Sequence, residues 1–230
     1  MAWRCLQPSA IAKELRSAMN QKSVIILRFA LVLWFCTGPS CSSPDHGLLD
    51  ILLPSEKVYL ILGDSLTERS DGFYLEKLSP VGLTVFVRGV DGYDYVNWTQ
   101  RMDEAFAGVD PPDQIITVLG SNDAARYGPD QFRENVQQFH AALRQRSAAP
   151  VLYSLVPRTR FSPVQPSILA NNERLRAGAP EGQNIMDLDA VFETAISQGR
   201  ILYPDDEPIH PNRSGYELIG TTILQSLTLP

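Results

Sequence analysis

Short, almost wholly apolar runs alternate with segments whose apolar residues recur at helical spacing, and this alternation restricts the folding of the 230-residue chain more than any other feature. The runs fall at 58–62, 83–87, 114–119, 151–156 and 184–188, and the helical patterns at 74–78, 95–106, 131–144, 168–177 and 215–227. A strand with no polar alternation needs cover on both faces, and helices between consecutive strands supply it through right-handed crossovers. The expected architecture is therefore an α/β fold, a three-layer α/β/α sandwich around a parallel sheet. With 44% hydrophobic residues the chain can bury one sizeable core. The expected organisation is a leader over 1–42, with 1–18 as an upstream extension, a linker over 43–56 and one domain over 57–230.

The leader carries five basic residues, Arg4, Lys13, Arg16, Lys22 and Arg28, against the single acid Glu14. Its apolar stretch, 24–27 and 29–36, is interrupted by Arg28 and is short of the roughly 20 residues a membrane span needs. Followed by Thr37-Gly38-Pro39-Ser40, it reads as a cleaved export signal, so a periplasmic or secreted location is expected. All three cysteines, Cys5, Cys36 and Cys41, lie in this region, which leaves the exported domain without a disulfide. Cys41 before Ser42-Ser43 resembles a lipoprotein attachment site, although Gly38-Pro39-Ser40 matches that pattern poorly; a lipid there would be the one membrane link, and cleavage near Ser42 with a soluble product is the alternative.

Beyond residue 41 the chain holds 15 basic and 25 acidic residues, a net charge of −10. Such a surface repels phosphate backbones and anionic headgroups, which argues against nucleic acid as a partner and favours a neutral small molecule.

In open parallel sheets ligands gather outside the carboxyl ends of the strands. The segments there are Gly63-Asp64-Ser65-Leu66, Arg88-Gly89-Val90-Asp91-Gly92 and Gly120-Ser121-Asn122-Asp123. Serine becomes a nucleophile only when a neighbouring base removes its proton. Of the three histidines, His46 sits in the linker and His140 inside an amphipathic helix, which leaves His210 as the base for Ser65. His210 follows Asp205-Asp206-Glu207-Pro208-Ile209, so carboxylates lie three to five residues away and can fix the imidazole tautomer. Oxyanion donors are available from the backbone N–H groups of Ser65 and Gly89 and from the Asn122 amide. Position 67 is Thr, so the serine is not in a G-x-S-x-G elbow.

These four blocks, in this order and at spacings of 24, 33 and 88 residues, resemble those of the SGNH hydrolases, also called the GDSL esterase and lipase family. The resemblance implies a flavodoxin-like parallel sheet, Ser65 as nucleophile, His210 as base, Ser65, Gly89 and Asn122 as oxyanion donors, and no metal or organic cofactor. Two positions depart from the family pattern. Glu207 stands where the family has aspartate, with Asp206 one step further off, so either is a candidate acid and the matching spacing favours Glu207. Arg88 stands where an asparagine usually opens the glycine block.

The expected activity is hydrolysis of short acyl esters, acetyl above all and from a carbohydrate, through an acyl-serine intermediate; Tyr93 and Tyr95 are suited to sugar hydroxyls and ring faces, the favoured alternative being that they pack the helix that follows. Transfer of the acyl group to a polysaccharide hydroxyl, a lysophospholipase or thioesterase activity, and a silent carbohydrate-binding module on the same fold are the alternatives.

Overall fold

The computed structural model describes residues 57–70, 74, 83–109 and 111–227, all within the compact unit Glu56–Pro230. The leader 1–42, the linker 43–56 and all but the first residue of the helix expected at 74–78 lie outside the described residues.

The strands are β1 (Val58–Gly63), β2 (Thr84–Gly89), β3 (Gln114–Val118), β4 (Val151–Ser154) and β5 (Asn184–Met186). They pair in parallel in the order β2-β1-β3-β4-β5, the order of flavodoxin-type doubly wound sheets. Successive side chains of a strand point to opposite faces, and β1 shows the result. Tyr59 and Ile61 enter one core with Phe192, Ile219 and Ile223, whereas Leu60 and Leu62 enter another with Trp98, Phe139 and Leu175. The first core lies under α7 (Leu188–Ser197) and α8 (Arg213–Ser226), the second under α2 (Tyr95–Gln100), α5 (Pro129–Arg146) and α6 (Gln165–Ala177). The fold is thus the three-layer α/β/α sandwich with its sheet covered on both sides.

Departures from the sequence expectation come from caps. The helix expected over 95–106 breaks at Arg101 into α2 and α3 (Met102–Ala105), with Arg101 ending one and opening the other at φ −122°, ψ 34°. The strand expected over 184–188 stops at Met186, because the Asp187 carboxylate accepts a 2.8 Å hydrogen bond from the Ala190 N–H and starts α7. In the same way Asn212 accepts from the Gly215 N–H at 3.1 Å and opens α8, directly after His210.

The chain leaves β1 through α1 (Ser65–Glu68) and leaves β3 through α4 (Ser121–Arg126). Since β1 lies between β2 and β3, three chain segments converge where the strand order reverses, the crevice in which such sheets bind ligands.

Candidate active site

Ser65 occupies the first position of α1, where helix geometry leaves backbone N–H groups without an intrahelical acceptor. The turn is set by Asp64, whose carboxylate accepts from the Leu66 N–H at 2.9 Å and from the Ser121 hydroxyl. Asp64 is fully buried, and that burial pushes its carboxyl up to about 6 despite the two hydrogen bonds. Trp98 holds the end of β1 from the other side, its indole N–H donating to the Gly63 carbonyl at 3.0 Å.

The Ser65 hydroxyl, only 6% exposed as a residue, lies 3.0 Å from His210 Nε2. On the far side of the ring Glu207 Oε2 is 3.3 Å from Nδ1. The other Glu207 oxygen accepts from the backbone N–H groups of Ile209, at 2.9 Å, and His210, at 3.2 Å. These bonds, the Ile209 N–H first, hold the Glu207 carboxyl below its ordinary range against a smaller effect of burial. Of the two candidate acids, then, Glu207 is the one on the imidazole. Asp206 is exposed, and among the described residues no hydrogen bond or ion pair joins it to His210. The extra methylene of glutamate lets the carboxylate bend back over its own loop, where it caps two backbone donors while facing the ring.

Asn122 enters from α4. Its amide donates one N–H to the Tyr93 carbonyl at 2.9 Å, which fixes the plane of the group, and its side chain lines the cavity beside Ser65. The amide has a second N–H with which to meet a ligand. Gly120, just before α4, has φ +121°, and a Cβ there would sit 2.8 Å from Val156, so glycine is required on both counts. Gly89 pairs with Gly63 at the ends of β2 and β1. A Cβ on Gly89 would lie 2.2 Å from the Glu68 backbone nitrogen, so β2 and the nucleophile helix are in backbone contact. This packing demands glycine whatever the residue donates.

Arg88 is directed away from the site, its guanidinium donating to the Ala107 carbonyl at 2.9 Å. The glycine loop is held by other groups: Asp91 N–H donates to Glu68 Oε2 at 2.6 Å and Val90 N–H to the Gly63 carbonyl at 3.3 Å. Nor do the two tyrosines face a ligand. Tyr95 is buried among Phe132, Phe139 and Tyr153, and Tyr93 stands edge-on to Trp98 at 5.1 Å with Arg101 over its ring. Tyr93 thus packs the helix that follows it, and Tyr95, the first residue of α2, packs against α5 and β4.

Ser65, Asn122 and His210 open into a cavity of about 210 Å³ whose remaining wall is largely apolar, formed by Leu66, Val156, Phe161, Val164, Ile168 and Ile209. Half of that wall, Val156, Phe161 and Val164, comes from the segment between β4 and α6, and beyond Val156 sequence reasoning found no signal there. Segment 157–164 has neither helical nor strand periodicity, and its position depends on tertiary bonds. Thr159 donates through Oγ1 to the Pro208 carbonyl at 2.6 Å, and the Arg160 N–H donates to the same carbonyl at 2.9 Å. The histidine loop and the apolar wall therefore hold each other. Sequence reasoning also missed Arg69, which approaches His210 Nδ1 at 3.0 Å and reaches Asp91 Oδ2 at 3.0 Å. Its position at the end of α1 is visible in the sequence, but nothing there shows that it reaches a residue 141 positions away.

Asp123, next to Asn122, is fully buried, with Oδ2 3.4 Å from the Tyr95 N–H and Oδ1 unpaired among the described residues. Burial and then the Asp94 charge push its carboxyl up to about 7. His140 packs in the core with Nδ1 2.8 Å from the Tyr153 hydroxyl, remote from the serine. Among the described residues no group of three or more His, Cys, Asp or Glu is placed to hold a metal ion, and no helix is long and apolar enough to cross a membrane.

Residues 61–218 match the model of the GDSL-like lipase/acylhydrolase family. Among solved structures, a member of the lipolytic G-D-S-L family from Veillonella parvula is 20% identical, with a TM-score of 0.65 over 76% of this chain and 100% of that one. A lipase/acylhydrolase from Enterococcus faecalis is 19% identical, with a TM-score of 0.61 over 74% and 94%. An acetylxylan esterase from Geobacillus stearothermophilus, as a catalytic mutant, is 13% identical, with a TM-score of 0.60 over 76% and 95%. At these identities the likeness speaks for the fold. No curated protein sequence matches at a significant level.

Proposed function

The chain belongs to the GDSL-like lipase/acylhydrolase family, and on that footing we propose that it is a carboxylic ester hydrolase with Ser65 as nucleophile, His210 as general base and Glu207 as the orienting acid. The observation that carries this reading is the 3.0 Å separation of Ser65 Oγ and His210 Nε2 at the mouth of a cavity, with a carboxylate on the opposite ring nitrogen.

In the proposed reaction Ser65 Oγ attacks the ester carbonyl carbon while its proton passes to His210 Nε2. The imidazolium formed is stabilised by Glu207, which takes the Nδ1 proton as a hydrogen bond. Negative charge gathers on the former carbonyl oxygen, and the Asn122 amide with the backbone N–H groups of Ser65 and Gly89 are the donors assigned to it. The carbon to alkoxy oxygen bond then breaks, and His210 gives its proton to the leaving alcohol. A water molecule repeats the sequence against the acyl-serine, its proton going to His210 and then back to Ser65.

The proposed substrates are esters of short acyl groups, acetyl to butyryl. A cavity of about 210 Å³ lies below the ~300–1,000 Å³ of typical small-molecule pockets, and it must take the start of the alcohol as well as the acyl chain. Its apolar wall favours alkyl over charged acyl groups. The acetylxylan esterase among the structural relatives agrees with an acetyl ester of a carbohydrate as one such substrate, although among the described residues no tyrosine lines the cavity. The basic, apolar leader supports action outside the cytoplasm.

The test is hydrolysis of acetyl, butyryl and octanoyl esters of one alcohol by the full chain and by Ser65→Ala. The expected result is turnover of the first two above the third, abolished in the variant. A preference for octanoyl would overturn the short-acyl reading, and Ser65-independent turnover would overturn the mechanism.

A further inference from the structure

His210 Nδ1 has two neighbours that cannot both be satisfied. Glu207 Oε2, at 3.3 Å, is an acceptor and needs a proton on Nδ1. Arg69 Nη1, at 3.0 Å, is a donor only and needs the Nδ1 lone pair. A neutral imidazole carries one proton, so the Arg69 contact places it on Nε2. There it points at the Ser65 hydroxyl 3.0 Å away, and a nitrogen that already bears a hydrogen cannot accept one from serine. The Glu207 arrangement is the productive tautomer and the Arg69 arrangement blocks the base.

The Arg69 position is built, since the chain fixes both of its anchors. Its backbone N–H bonds the Ser65 carbonyl at 2.9 Å, so it rides on the nucleophile helix. Its second guanidinium nitrogen holds Asp91 Oδ2 at 3.0 Å, and Asp91 is in turn fastened through its N–H to Glu68 Oε2 at 2.6 Å. Arg69 and Asp91 are 46% and 59% exposed, so the ion pair is weak enough for the guanidinium to swing while tethered. Asp91 also lines the cavity, which puts the tether within reach of whatever binds there.

We propose that Arg69 is a positioning residue acting through His210: tethered by Asp91, it occupies Nδ1 in the substrate-free protein, holds the imidazole in the Nε2–H tautomer, and must move off that nitrogen before Glu207 can orient the base. The inference rests on His210 serving as the base of the proposed hydrolase. Its chemistry adds no reactant, because one proton moves between the two ring nitrogens through solvent as Nδ1 exchanges Arg69 for Glu207.

The imidazole ¹⁵N spectrum of the full chain, recorded where histidine is neutral and with the His210 signals assigned by their loss in His210→Gln, reads the tautomer directly. The wild type is expected in the Nε2–H form, Arg69→Met in the Nδ1–H form, and Arg69→Lys, which restores a cationic donor, back with the wild type. On an acetyl ester Arg69→Met should raise kcat about fivefold with little change in KM, the population shift expected from one net hydrogen bond. An Nδ1–H wild type, or identical spectra for wild type and Arg69→Met, would overturn the proposal. Should Arg69→Met fail to fold, the wild-type spectrum alone decides. Because the spectrum needs no substrate, a protein that hydrolyses no ester would sink the hydrolase reading and leave the tautomer result to be judged by itself.

Discussion

The two halves of the candidate site are built to different standards. The nucleophile half is part of the core: Asp64 is fully buried, Ser65 nearly so, the end of β1 is pinned by Trp98, and Gly89 brings β2 against the backbone of α1. The base half is a surface loop, with Glu207 at 38% exposure and Asp206 open to solvent, held by a few bonds to Pro208 and by the Asn212 cap that follows. A residue in the first half is tied to folding and chemistry at once, whereas a residue in the second can be changed for chemistry alone.

The sharpest expression of that difference is a pair of variants. His210→Gln should lower kcat by roughly 10⁴-fold or more, as loss of a general base does, with an unchanged melting temperature. Gly89→Ala should lose stability first, because its new Cβ meets backbone atoms that cannot rotate away, an overpacking cost of about 1–3 kcal/mol or more. Thermal melts beside initial rates check both. A stable Gly89→Ala protein, or a His210→Gln protein that no longer folds, would erase the distinction.

A smaller effect separates the two acids of the loop. Glu207→Gln keeps the size of the side chain and removes the charge facing Nδ1, and should reduce kcat by about 10- to 100-fold, less than the ~10⁴ seen when a fully buried triad acid is amidated. Asp206→Asn should leave the rate unchanged. The reverse order, read from initial rates on one acetyl ester, would make Asp206 the acid.

A further effect lies in the core half and concerns stability against pH. The Asp123 carboxyl titrates at about 7 in the folded protein and near 3.9 when unfolded, so between those values the folded state holds the extra proton. Stability from this group is fully present below about pH 4 and is lost as pH rises through about 7. Asp123→Asn should therefore gain melting temperature relative to the wild type at pH 8 compared with pH 4. A difference that stays constant with pH would remove Asp123 from the account of the core half.

The same division governs what the sequence could reveal. The core half was legible because its signals are local: an apolar strand, then a glycine, an aspartate cap and a serine within three residues. The sheet followed from five apolar runs whose first two and third ends carry the site. His210 was singled out by elimination among three histidines, and Glu207 by the resemblance of its spacing to the family's acid position. What stayed hidden depends on contacts between distant segments. The apolar wall over 156–168 is placed by bonds to Pro208, and Arg69 reaches a residue 141 positions away. Tyr93 and Tyr95 stayed open between two readings for a related reason, since ring residues beside a site sequence look alike whether they face a ligand or Trp98 and Phe139.

The most direct test of a serine activated by His210 is covalent labelling of the intact chain with a fluorophosphonate, read by peptide mass spectrometry. One adduct is expected, on Ser65, absent from Ser65→Ala and strongly slowed in His210→Gln. An adduct on another serine, or Ser65 labelling that proceeds at the same rate without His210, would contradict the assignment.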